Sequence, residues 1–223
     1  MSLTGILIDV QRLSTTRCTT PIQGKLAYAT ADNFLGRIVD GYHADAADVL
    51  LLTPTAAGAL CEAHNSLRAI GLGLYIFDSY RPQRAVKDFA RWFQAPIDAA
   101  EQKRQAQYYP NCTKQQLAEL GYIAGEVSRH NFGHTVDLTL QNLTSGELLD
   151  LGAPFDFFDQ MSHTTTKVPQ ISKEAHYHRL LLAGAMQAAG FIPYEKEYWH
   201  FEHQTQTVAK PLDIPITADL KGL

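Results

Sequence analysis

The chain has 223 residues, 45% of them hydrophobic, and a formal net charge of -4 with a pI near 6.1. That is enough apolar material for one good-sized core, so a single domain over 1–223 is expected. The charge balance lacks the basic footprint of a nucleic-acid binder, and no apolar run reaches the roughly 18 residues of a membrane span. The three cysteines, Cys18, Cys61 and Cys112, are far apart and form no C-x-x-C pair. Neither a disulfide framework nor cysteine-held zinc is expected. The N-terminus lacks the basic-then-apolar signature of a signal peptide. The cytoplasm is therefore the expected compartment, and the periplasm the alternative if a leader has been removed.

In chain order, residues 1–24 read as a strand or extended arm followed by a loop. Residues 25–42, punctuated by Asp32-Asn33 and two glycines, read as strand fragments and turns. Thr53 as N-cap and Pro54 at the first helical position open a helix. Leu60, Ala63, His64 and Leu67 follow at helical spacing until Gly71. Residues 72–77 form a buried strand ending in Asp78-Ser79-Tyr80-Arg81-Pro82. Pro82 opens a second helix with Ala85, Val86, Phe89, Trp92 and Phe93 on its apolar face. The polar stretch 97–112 reads as a surface excursion, and 113–120 as a short helix.

Val136 to Leu140 alternates as a strand. Residues 141–147 are a hairpin turn and 148–150 its return strand. Residues 152–163 are aromatic and irregular, and 164–172 a loop. A third long helix covers 173–189 and stops at Gly190. Residues 197–202 form a final strand or tight turn, and the tail 210–223 is loosely attached. Strands interleaved with helices around an antiparallel sheet give an α+β class.

The chemistry concentrates in Ser128 to Leu140. His130 and Asp137 flank a bend at Gly133, and a His just before a strand Asp can supply two ligands to one divalent metal. A lone His is more often a hydrogen-bonded structural residue. A second His/carboxylate pair, Glu197 and His200, shifts the balance. Zinc catalysis wants three protein ligands, an open water position and a carboxylate base nearby. His130, Asp137 and His200 would be the ligands and Glu197 the base. Residues three apart share a helix face but point to opposite faces of a regular strand, so Glu197 on a strand must sit at a turn. Trp199 would shield the site and lower its dielectric, or simply be core. Arg81, at a strand end, can face a developing oxyanion or pair with Asp78. His134 is not expected to be a ligand.

Ser128-x-His130-x-x-Gly133-x-Thr135-x-Asp137 resembles the S-x-H-x-x-G-x-A-x-D motif of zinc D,D-peptidases, the group with D-alanyl-D-alanine carboxypeptidases and hedgehog-type domains. Glu197-Tyr198-Trp199-His200 resembles that group's E-x-W-H. Residues 28–34, 78–85 and 155–159 are similar to segments of the VanX-type D-alanyl-D-alanine dipeptidases. The resemblance runs from about Lys25 to His203, in the family's order. It implies a hedgehog/D,D-peptidase-like α+β fold with a central antiparallel sheet and flanking helices. It further implies one zinc per chain on His130, Asp137 and His200, Glu197 as general base and proton shuttle, and Arg81 stabilising the tetrahedral intermediate. The substrate's free amino end would lie near Tyr28, Ser128 and Asp156.

The implied activity is hydrolysis of D-Ala-D-Ala to two D-Ala by a zinc-activated water. A D,D-carboxypeptidase or cell-wall endopeptidase on the same scaffold is the alternative, followed by a non-catalytic zinc-binding domain. Closure of the amino side by Asp156 and the 155–172 loop would separate the first from the second. Thr135 in place of Ala, Tyr198 in place of a common Trp, and Phe132 and His134 beside Gly133 depart from the family pattern. They change the pocket's shape and leave the ligands and base intact.

Overall fold

The computed structural model describes residues 5–223. β1 (Ile8–Asp9) runs directly into α1 (Val10–Arg17), where the Asp9 carboxylate accepts a hydrogen bond from the Gln11 N–H at 2.9 Å. This cap lets a Thr-rich, weakly helical stretch start a helix, so the extended arm expected over 1–24 is replaced by a short strand and a helix. Residues 1–4 of that arm lie outside the described residues.

β2 (Gln23–Gly24) is followed by an irregular segment instead of strand fragments. Asn33 explains the difference. Its amide nitrogen donates to the carbonyls of Ala27, Thr30 and Arg37, and its oxygen accepts from the Leu35 and Gly36 N–H groups. One side chain thus takes the place of a strand ladder, and Tyr28, Phe34, Val39 and Tyr42 turn into the core.

β3 (Leu51–Leu52) pairs with β1, and α2 (Pro54–Leu67) follows as its Thr-Pro start requires. After β4 (Leu72–Asp78) comes α3 (Gln83–Gln94), with Ala85, Val86, Phe89 and Trp92 buried. The expected surface excursion is α4 (Ala99–Tyr108), capped by Asp98. Its polar sequence hides a buried group: Glu101 accepts from Trp92 Nε1 at 3.0 Å, from Arg104 at 3.1 Å and from the Tyr109 hydroxyl. The next helix contracts to one turn, α5 (Gln116–Glu119).

β5 (Thr135–Asn142), α6 (Lys173–Ala188), β6 (Phe191–Tyr194) and β7 (Glu197–His203) complete the chain's regular elements. The main sheet has the order β2-β4-β5-β7-β6, antiparallel except for the two-residue β2–β4 pairing. The strand expected over 148–150 is reduced to a single bridge, Gln141 to Leu148. β6 is an edge strand, the place in a sheet where its Pro193 is tolerated.

Val136, Leu138 and Leu140 are fully buried on one face of β5, and α2 and α6 pack together against the sheet. Thr135, Asp137 and Thr139 alternate with them and face the other way. That second face is covered by an aromatic layer, in which Phe34 touches Tyr28, Phe89, Trp92 and Phe158 at ring separations of 5.1–5.9 Å. Among the described residues no helix is long and apolar enough to cross a membrane.

The tail is not loosely attached. The Leu212 N–H donates to the Asn131 carbonyl, the Ile214 N–H to the Tyr80 hydroxyl, and Ile216 bridges Tyr42. Ile216 is completely buried, so Ile216→Ala should cost about 2–4 kcal/mol in urea unfolding. A loss below about 0.5 kcal/mol, the size of a surface effect, would mean that the tail contributes nothing to the core.

Candidate active site

Two irregularities in the sheet bring the polar side chains together. β4 and β5 pair in step from Leu72↔Asn142 to Ile76↔Leu138, then Asp78 stands opposite Asp137. The extra residue, Phe77, is a bulge that re-aims the strand end. On the other side, Pro193 pairs with Phe201 but Tyr194 pairs with Glu197. Tyr198, Trp199 and His200 therefore have no counterpart on β6. This resolves the spacing problem: Glu197 starts the strand before the irregular stretch, and its Oε2 lies 3.7 Å from His200 Nδ1.

His130 sits in a short 3₁₀ turn, Arg129–Phe132. Ser128 caps this turn by accepting from the His130 N–H, and Gly133 closes it with φ of 70°. Asn131 donates to the Arg81 carbonyl at 2.8 Å, and the Arg81 N–H donates to the His130 carbonyl, so turn and strand end hold each other. His130 Nδ1 is 2.6 Å from the Ser79 carbonyl. A carbonyl accepts only, so Nδ1 carries the proton and Nε2 presents its lone pair.

That lone pair points at Asp137. His130 Nε2 is 3.3 Å from Asp137 Oδ2, His200 Nδ1 is 3.0 Å from Oδ1, and the two imidazole nitrogens are 3.3 Å apart. One donor atom from each of the three residues lies within 4.8 Å of the other two. Asp137 Oδ1 is buried without a donor in hydrogen-bond geometry. Burial lowers the His200 pKa and favours the neutral imidazole, against the pull of Asp137. Two imidazoles and a carboxylate turned on one point, with a buried oxygen left unsatisfied, form a donor set for a tetrahedral metal ion with one position free.

Around this point the charges are mostly negative. Asp78, Asp137, Asp156 and Glu197 are buried there with Arg81. Arg81 pairs with Asp78, the second of the two arrangements its position allows. Its Nε donates to Asp78 at 2.9 Å, its Nη2 lies 3.5 Å from Asp137, and its guanidinium packs on the rings of Tyr28 and Phe89. Tyr42 donates to the other Asp78 oxygen at 2.8 Å. Burial raises the Glu197 carboxyl well above its usual value, with Asp137 and Asp156 adding to the effect and Arg81 opposing it.

Arg81, Ser128, His130, Asp137, Glu197, Trp199 and His200 share one cavity of about 790 Å³ with Tyr28 and Asp156. Tyr28 donates to Asp156 at 3.0 Å, and both are buried. Asp156 adopts φ of +59°, which turns its carboxylate inward; among non-glycine residues Asp accepts this backbone better than most. Burial, with Asp137 adding to it, raises its pKa well above normal, against the Tyr28 hydrogen bond. Ser128 lines the same cavity without a hydrogen bond to Tyr28 or Asp156.

His134 is outside the donor set: its Nε2 is 3.1 Å from Glu202 Oε1. The sequence motifs also left out the cavity's rim. Tyr122, Ile123 and Val127, beyond the expected short helix, line it together with Ile192 and Tyr194, and only the glycines at 121 and 125 hinted at a loop there.

The sequence signature of the D-Ala-D-Ala dipeptidases matches residues 11–215. D-alanyl-D-alanine dipeptidases of Enterococcus faecalis and Streptomyces coelicolor are each 41% identical over 175 residues, covering 78% of this chain and 82% of theirs. That of Escherichia coli is 33% identical, covering 80% and 77%. Among solved structures, a zinc-bound mutant of the vancomycin-resistance D,D-pentapeptidase VanY aligns with a TM-score of 0.42 and 15% identity over 70% of this chain and 75% of its own.

The Asp78–Arg81 pair is buried on both sides. Asp78→Ala strands the guanidinium and should cost about 3–5 kcal/mol in urea unfolding. A cost under about 1 kcal/mol, in the range of a solvated surface pair, would show that the pair does not hold the strand end.

Proposed function

The chain belongs to the D-Ala-D-Ala dipeptidase family, and from that premise we propose that it hydrolyses free D-Ala-D-Ala to two molecules of D-Ala. The observation that carries the dipeptide preference is the buried Tyr28–Asp156 pair in the wall of the cavity that holds His130, Asp137 and His200. An ammonium group seated there would compensate a carboxylate that burial otherwise disfavours, and a longer chain would have to displace that pair. Ser128 offers a hydroxyl to the substrate from the same cavity.

His130, Asp137 and His200 would hold one zinc ion, which supplies a Lewis acid for the scissile carbonyl and makes a water acidic near neutral pH. The rest is protein chemistry. Glu197, more basic than an ordinary carboxylate, takes the proton of the attacking water and returns it to the departing amine as the C–N bond breaks. Arg81, pinned by Asp78 and backed by Tyr28 and Phe89, presents a preorganised positive charge to the oxyanion. Trp199 and Phe158 line the cavity, keep its wall apolar and strengthen these charge interactions.

We read 1–223 as one catalytic unit, because a continuous buried cluster runs from Leu7 to Ile216. We assign it to the cytoplasm, a compartment consistent with its three free cysteines.

The test is D-Ala release from free D-Ala-D-Ala and from a muramyl pentapeptide ending in D-Ala-D-Ala, using zinc-loaded protein. The dipeptide should be cleaved and the pentapeptide spared, and Glu197→Ala should lower kcat by about 10²–10⁴-fold. Release mainly from the pentapeptide would contradict the dipeptidase reading in favour of a carboxypeptidase.

A further inference from the structure

A free dipeptide carries a carboxylate as well as an ammonium group, and Tyr28 and Asp156 answer only the ammonium. A carboxylate entering a cavity needs a cation or several donors to replace its water. Among the described residues that line the cavity, Arg81 and Arg129 are the permanently charged cations. Arg81 is committed to Asp78 and Asp137. Arg129 is not: its side chain is 61% exposed, and its ion pair is a 3.5 Å contact from Nε to Glu202 Oε2. Its two terminal nitrogens have no hydrogen-bond partner among the described residues.

The strand register puts Arg129 at the opposite end from Asp156. Phe155, the neighbour of Asp156, stacks on Phe77 at 4.6 Å, and Phe77 lies between the rungs Ile76↔Leu138 and Asp78↔Asp137. Glu202 pairs with Thr135, beyond the Asp137↔His200 rung in the other direction. It is two residues from His200 on the same strand face, about 7 Å further along. The acidic anchor, the three donor atoms and the guanidinium therefore follow one another along the cavity. A dipeptide has the same layout: two opposite charges flanking one peptide bond, over roughly 7 Å of extended chain.

We propose that Arg129 is a specificity-determining residue that binds the free α-carboxylate of the dipeptide. Glu202 fixes it through Nε, leaving both terminal nitrogens for a bidentate contact. The buried His134 holds the other Glu202 oxygen, so its role is to position that carboxylate. This assignment rests on the dipeptidase function proposed above.

The experiment compares D-Ala-D-Ala with its C-terminal amide, in the zinc-loaded protein and in Arg129→Ala and Arg129→Lys. Arg129 is exposed, so both variants should fold, as circular dichroism will show. The unsubstituted protein should prefer the free acid by about 10- to 100-fold in kcat/KM, the size of a charge-assisted hydrogen bond. Arg129→Ala should raise KM for the acid by a similar factor, leave kcat within a few-fold and leave the amide unaffected, so that the preference disappears; Arg129→Lys should restore part of it. An unchanged preference in Arg129→Ala would overturn the assignment while the dipeptidase reading stands. Cleavage of neither compound by the unsubstituted protein would overturn that reading and this one with it.

Discussion

A buried carboxylate without a proton to share is the constraint on which the rest of this structure depends. Asp137 lies on the inner face of a central strand, with two imidazole nitrogens turned on it and one oxygen without a donor. Three further carboxyl groups, Asp78, Asp156 and Glu197, are buried around the same point. Burial disfavours ionising these three groups, and Arg81 can answer only some of them. A bound cation at the Asp137 centre relieves the remainder. The fit between the residues and a metal ion thus comes from their electrostatics as well as from their distances.

The fold meets that constraint by breaking its own regularity. A uniform β-sheet would aim Glu197 and His200 at opposite faces and leave Asp78 out of step with Asp137. One extra residue in β4 and three residues of β7 without a counterpart on β6 correct both. The groups so placed are then fixed from behind. Ser79 sets the His130 tautomer, Asn131 ties the turn to the Arg81 backbone, and Tyr42 with Asp78 locks the guanidinium. Most of these supports come from residues adjoining the reactive ones in sequence, so one short turn and one strand end carry both the chemistry and its scaffold.

Much of this was legible from sequence because local rules agreed with the final structure. Thr53-Pro54 and Gly71 bound a real helix, alternation at 136–140 marked β5, and two short motifs named the residues that converge. Where the reading failed, a distant partner overrode the local signal. The polar stretch around Glu101 is a helix because Trp92 and Tyr109 bury that carboxylate. Residues 25–42 are irregular because Asn33 bonds the backbone that strands would have used. The tail is anchored through Tyr80, Asn131 and Tyr42, which no nearby residue announces. The pairing of Arg129 with Glu202 likewise depends on the register of β5 with β7, which spacing alone cannot supply.

The cavity has chemically distinct ends: a buried acid held by a tyrosine, a cluster of metal-type donors, and an exposed guanidinium held by a second acid. Such a layout suits a small zwitterion better than a polymer end. Its centre is the ion assigned to His130, Asp137 and His200, and X-ray absorption at the zinc edge of the purified protein tests that assignment most directly. The account predicts two imidazole nitrogens and light oxygen ligands at about 2.0–2.1 Å, with one imidazole lost in His200→Ala. Sulfur scattering near 2.3 Å, or an unchanged imidazole count in that variant, would contradict it.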